Sequence, residues 1–133
     1  MLCLKNSKTC LNAWFNETSG HGGYIGIIWI PVYKEIKSSW SLTLKFTNPI
    51  DQVKTWTFLP SQQFPSLDNT TVTFHPRSYN KDLKEKEMLE IRFLCEYHQD
   101  ITTLKNGINV PKPESANFLG QIYPVFSNKS INL

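Results

Sequence analysis

Hydrophobic and polar positions alternate along much of this chain. Trp40, Leu42, Leu44 and Phe46 alternate with Ser41, Thr43 and Lys45, and a period of two marks a strand with one buried face. The same period recurs in a strand over 24–32, with Tyr24, Gly26, Ile28, Ile30 and Val32 inward and Trp29 outward. It returns in a strong strand over 88–97, where Leu89, Ile91, Phe93 and Cys95 share one phase. Further strands are predicted at 53–59, carrying Trp56, and at 70–74, with Val72 and Phe74 inward. The segment 117–126 holds a last strand or two. Turn-rich stretches separate these elements: 16–23, Asn48-Pro49, 60–69 with Pro60 and Pro65, 76–87 and 102–113. The charged run 81–90 has no apolar helical face and reads as a turn entering a strand. Residues 1–13 read as an N-terminal arm. Many short strands punctuated by Pro, Gly and Asn predict an all-β fold, a two-sheet antiparallel sandwich of the immunoglobulin-like, Greek-key kind.

Composition narrows the class. With 133 residues, 40% of them hydrophobic and 19% charged, the chain is expected to form one globular domain over 1–133. The net charge of +3 is mild, and the basic residues are interleaved with acids, as in Lys81-Asp-Leu-Lys-Glu-Lys-Glu87. Such a run is a solvated face, so neither a nucleic-acid groove nor a nucleic-acid partner is expected. No apolar run approaches the roughly 18 residues of a membrane span, and no membrane partner is expected. The start, Met1-Leu-Cys-Leu-Lys-Asn, turns polar too early for a signal peptide. Either Met1 begins an excised domain or a signal has been removed. Asn16-Glu-Thr18, Asn69-Thr-Thr71 and Asn128-Lys-Ser130 are N-glycosylation acceptors, which point to a secreted glycoprotein. Cys3 and Cys10 can pair with each other, or one of them with Cys95. The phase of Cys95 makes it a small core residue, leaving Cys3–Cys10 as the expected bridge.

Trp56 and Tyr79 depart from the core phase. Each sits at the end of an extended segment beside polar or turn residues, where a large ring is expected to meet water. A pyranose presents axial C–H groups on one face, and these pack on an indole or phenol ring. Flat exposed rings on a rigid β scaffold therefore suggest sugar stacking. Asn80, with Gln52, Lys54 and Gln99, supplies amide or charged groups for sugar hydroxyls. Trp40 belongs to the core by its strand phase.

With these residues placed, the chain resembles a family 2 carbohydrate-binding module, the kind appended to cellulases and xylanases. Gly23-Tyr24 is similar to the Gly-Phe that opens the family's first core strand. Trp40-Ser-Leu-Thr-Leu-Lys-Phe46 resembles its Trp-x-Leu-x-x-x-Phe strand, whose Trp is buried. Trp56, ten residues past Phe46, stands where the family has its second exposed tryptophan. Tyr79-Asn80-x-x-Leu83 stands where the family usually has Trp-Asn-Gly before an apolar residue, and Ile91-Arg-Phe93 is similar to the strand that follows. The family's first exposed tryptophan falls at Gly20 here. Trp14 is the best candidate for its place, with Phe15 and His21 as alternatives. The glycine-rich turn after the third tryptophan is replaced by Lys84-Glu-Lys-Glu87, which sets charge beside the expected binding strip.

The resemblance implies a non-catalytic module that stacks Trp56, Tyr79 and Trp14 on a β-1,4-linked glycan, cellulose or chitin. Xylan is the alternative ligand. It implies a role in holding a larger secreted protein on an insoluble polymer. The rival from another class is a secreted β-sandwich that binds protein, since exposed aromatics also make interface hot spots. No enzyme is expected: Asp82, Glu85, Glu87 and Glu90 lie along one charged run rather than around a pocket, and Cys95 and His98 have no third, orienting residue. His21, His75 and His98 lack zinc-ligand spacing, so neither a metal nor any other cofactor is expected.

Overall fold

The computed structural model describes residues 3, 9–16, 23–37, 39–55, 58–60, 69–97 and 110–127. Among them are nine strands and no helix: β1 (Leu11–Phe15), β2 (Gly23–Pro31), β3 (Leu42–Phe46), β4 (Gln52–Thr55), β5 (Phe58–Pro60), β6 (Thr71–Pro76), β7 (Met88–Glu96), β8 (Pro113–Phe118) and β9 (Gln121–Ser127). The all-β class is as expected. The alternating residues are buried on β2, β3, β6 and β7, as their phase predicts.

The strands form one continuous sheet in the order β4-β7-β2-β1-β9-β8-β3-β6-β5. The expected division into two antiparallel sheets is not what the hydrogen bonding forms. The sheet is mixed, because β1 runs parallel to β9. β9 is the reason for the continuity. Its first residues, Gln121 to Pro124, pair with β8, and its last, Val125 to Ser127, pair with β1. A strand that changes partners partway turns a corner between layers, and Pro124, which has no N–H to give the ladder, sits at the change.

The two layers joined by β9 face each other across an aromatic core. Phe93 of β7 meets Phe46 of β3 edge-on at 6.2 Å and lies 6.4 Å from Phe74 of β6. The far edges also meet. β4 and β5 lie at opposite ends of the strand order, yet only two residues separate them in sequence, so their ends are within about 11 Å. The Thr55 hydroxyl donates to the Phe58 carbonyl across this gap. The sheet is thus rolled nearly into a barrel.

Two segments differ from the sequence reading. Residues 11–13 are not an arm but the start of β1, which lies inside the sheet between β2 and β9. Leu11, Ala13 and Phe15 point into the core. The single strand expected over 53–59 is two strands on opposite edges. Val53 and Phe58 are both buried, and a separation of five cannot keep one phase on an unbroken strand.

Cys3 and Cys10 form a disulfide, and Cys95 is a free thiol within the core. Burial pushes the Cys95 thiol up to about 12, opposed by a hydrogen bond with Tyr24. Thiolate is the reactive species. Native protein is therefore expected to give no reaction with a thiol-specific disulfide reagent at pH 8, and one equivalent per chain in guanidinium chloride. Rapid native reaction would show that Cys95 is accessible.

Candidate functional site

Strand direction gathers three connections, β2–β3, β6–β7 and β8–β9, at one end of the rolled sheet. β2, β6 and β8 finish there, and β3, β5, β7 and β9 begin there, as the registers Pro31↔Met88, Leu42↔Phe118, Leu42↔Phe74 and Phe58↔Pro76 require. A bridge between Ile36 and Leu83 ties the β2–β3 connection to the β6–β7 connection. Among the described residues, all the exposed large hydrophobic side chains belong to this end: Tyr79 at 71%, Ile122 at 68%, Leu119 at 46%, Tyr33 at 39% and Met88 at 36% exposure. Hereafter it is the aromatic end.

Tyr79 stands on a turn pinned from three sides. The Arg77 N–H donates to the Asn80 side-chain oxygen at 2.7 Å, and the Asn80 N–H donates to the Arg77 carbonyl at 3.2 Å. From below, the Trp40 indole N–H donates to the Asn80 carbonyl at 3.3 Å. Trp40 is itself buried, edge-on to Phe58 and Phe118 at 5.5 and 6.0 Å. Next along the chain, Leu83 and Ile36 exchange backbone hydrogen bonds at 2.8 Å and bury their side chains. The Tyr79 ring is thus presented to solvent from a braced backbone. Asn80, expected to meet sugar hydroxyls, uses its carboxamide oxygen to close this turn.

Tyr33 and the β8–β9 hairpin flank an open cleft of about 310 Å³, whose walls include Pro31, Phe118, Leu119 and Tyr123 and whose polar groups include Lys34 and Gln121. The hairpin turns through Leu119 and Gly120, both at positive φ, 54° and 83°. Such two-residue turns favour Asn-Gly, because a branched L side chain in the left-handed region costs roughly 1–2 kcal/mol. Leucine is held there with its side chain half in water, on the lip of the cleft.

Trp14 and Trp29 lie elsewhere, on the outer face of the β4-β7-β2-β1 layer. Trp14 is opposite Ile27, and Ile27 is four residues, about 13 Å, back from Pro31 at the aromatic end. Trp29 donates its indole N–H to Glu90 at 3.2 Å. Both indoles are half-buried, while Ile27 is fully buried although it lies outside the main core cluster. Charged pairs border them, Lys54–Glu96 at 2.9 Å and Arg92–Glu90 at 4.0 Å. Gln52 donates to Glu96 at 2.7 Å, and this bond, followed by Lys54, holds the Glu96 carboxyl below the usual range. Gln52 and Lys54 therefore serve this face.

The structure thus separates Trp14 from Tyr79. Trp56 lies outside the described residues, in the chain between β4 and β5. His21, His98, Gln99 and Asn128 also lie outside them. Phe15 is buried against Tyr24 at 5.7 Å, in the core. Asn69 is exposed, at φ 59°, just before β6 and so at the opposite end of the sheet. Asn16 is half-buried, and its N–H donates to the Ile25 carbonyl at 2.9 Å. Sequence reasoning missed Tyr33, Leu119 and Ile122. The available signal was Leu119-Gly120 between two runs of strand character.

No family model matches the sequence, and none of the curated proteins does. Among solved structures, the chain is similar to the chitin-binding domain of Chi18aC from Streptomyces coelicolor, a solution structure. The TM-score is 0.46 and the identity 18%, over 81% of this chain and 90% of that one.

Proposed function

We propose that this domain is a non-catalytic polysaccharide-binding module whose contact surface is the aromatic end. The observation that carries this reading is Tyr79, a ring 71% exposed on a turn held by its own hydrogen bonds and by Trp40. A ring carried on a held backbone has only its two side-chain torsions to lose on meeting a ligand. Its face suits the axial C–H groups of a pyranose. Trp56 is proposed as a second platform, on the connection from β4 to β5. Several weak stacking contacts along one chain combine through effective concentration. The ligand class is a β-1,4-linked glycan, cellulose or chitin, with xylan as the alternative. The role is to hold a larger secreted protein on the polymer. An N-glycan on Asn69 would lie at the opposite end and leave the contact surface clear.

Retention on microcrystalline cellulose, chitin and insoluble xylan tests this. At least one is expected to deplete the wild-type domain from solution. Tyr79→Ala should weaken that retention about tenfold, a change of ~1.4 kcal/mol, with an unchanged circular dichroism spectrum. If none of the three retains the wild type, the reading fails. The exposed Leu119 and Ile122 then favour the second reading, a protein-binding end, because apolar side chains gathered on a surface mark a protein interaction site and give sugars no flat face.

A further inference from the structure

The cleft beside Tyr33 differs in kind from the protruding Tyr79. A ring that protrudes can lie on a flat polymer surface, whereas a cleft admits a single chain. Its volume of about 310 Å³ sits at the low end of ligand clefts, roughly 300–1,000 Å³, and leaves room for a sugar ring. Its lining is amphipathic in the way a sugar requires. Tyr33 offers a half-exposed phenol face, Leu119 and Phe118 offer apolar wall, and Lys34 and Gln121 bring polar ends. We propose that this cleft holds one sugar residue of a single β-1,4-linked chain, so that the domain binds soluble oligosaccharides and does not need a crystalline face.

This assignment rests on the polysaccharide-binding reading above and narrows it. Tyr33 and Tyr123 face the same space, and burial raises both phenols, with Tyr33 adding to the effect on Tyr123. Both are neutral at physiological pH, as an unshifted tyrosine already is, and act as hydroxyl donors and acceptors, which suits an uncharged polyhydroxyl ligand. Leu119, at the positive-φ turn of the hairpin, forms one lip of the open cleft.

The experiment is calorimetric titration of the domain with cellohexaose, chitohexaose and xylohexaose, run beside the insoluble-polymer assay. At least one hexamer is expected to bind. Tyr33→Ala should weaken that binding about tenfold or more, while Tyr33→Phe, which keeps the ring, stays within about threefold of wild type. If wild type is retained by a polymer but binds no hexamer, the cleft assignment is overturned and the broader reading stands. Equal hexamer binding by wild type and a folded Tyr33→Ala also overturns it. If neither polymer nor hexamer binds, both proposals fall together.

Discussion

Phe93→Ala lowers the free energy of unfolding by about 3–5 kcal/mol in a urea titration. The ring is fully buried on β7 and lies 6.2–6.4 Å from Tyr24, Phe46 and Phe74, so it joins β2 and both central strands of the facing layer. No neighbour can fill the space from one side without leaving the other layer. The ring owes its position to the residue opposite. Phe93 pairs with Gly26, and a Cβ on Gly26 would lie 2.4 Å from the ring's Cζ and 2.9 Å from both Cε atoms. Gly26→Ala therefore forces the whole ring to move within a packed core, at about 1–3 kcal/mol. The two effects share one cause and do not add. In the Phe93→Ala background, Gly26→Ala is expected to be neutral or to stabilise, since alanine is the better strand residue by roughly 0.5–1 kcal/mol. A double-mutant cycle should show coupling above about 1 kcal/mol. Additive losses would show that the glycine and the ring are independent.

Trp40→Ala removes a comparable amount, about 3–5 kcal/mol, and reaches further toward function. The indole fills the space between Phe58 of β5 and Phe118 of β8, and its N–H supports the Asn80 carbonyl in the turn that carries Tyr79. One side chain therefore ties the core to the proposed contact surface. Trp40→Phe separates the two roles. It keeps an aromatic ring but loses the donor, and should remain folded with a loss of about 1–2 kcal/mol. If the hydrogen bond positions Tyr79, Trp40→Phe also weakens polymer retention at temperatures where it is fully folded. Unchanged retention would mean that the local bonds between Arg77 and Asn80 suffice to hold the turn.

The core was legible where one phase ran unbroken. Trp40, Leu42, Leu44 and Phe46 could be placed from alternation alone, because large apolar side chains on one face have nowhere to go but inward. The period is also present in Leu11, Ala13 and Phe15, yet a small alanine and five residues of strand carry little weight after the polar 5–9 stretch. The break between β4 and β5 was hidden for the opposite reason. Extended propensity continues from Val53 to Leu59, and only long-range pairing, with β7 on one side and β6 on the other, shows that the chain crosses between edges. The continuity through β9 could not be read at all, since β1–β9 pairing joins residues more than a hundred positions apart. At the site, the turn at Tyr79 was legible from Asn80 and its polar neighbours. The cleft was not, because Tyr33 and Tyr123 come together only when β2 and β9 end and begin at the same end of the sheet.

The location of binding is the central claim, and an amide chemical-shift titration of the ¹⁵N-labelled domain tests it most directly. With cellohexaose or chitohexaose, the account predicts shifts concentrated in 32–41, 77–83 and 118–123, the connections of the aromatic end. Shifts confined to the outer face around Trp14, Trp29 and Arg92 would contradict it.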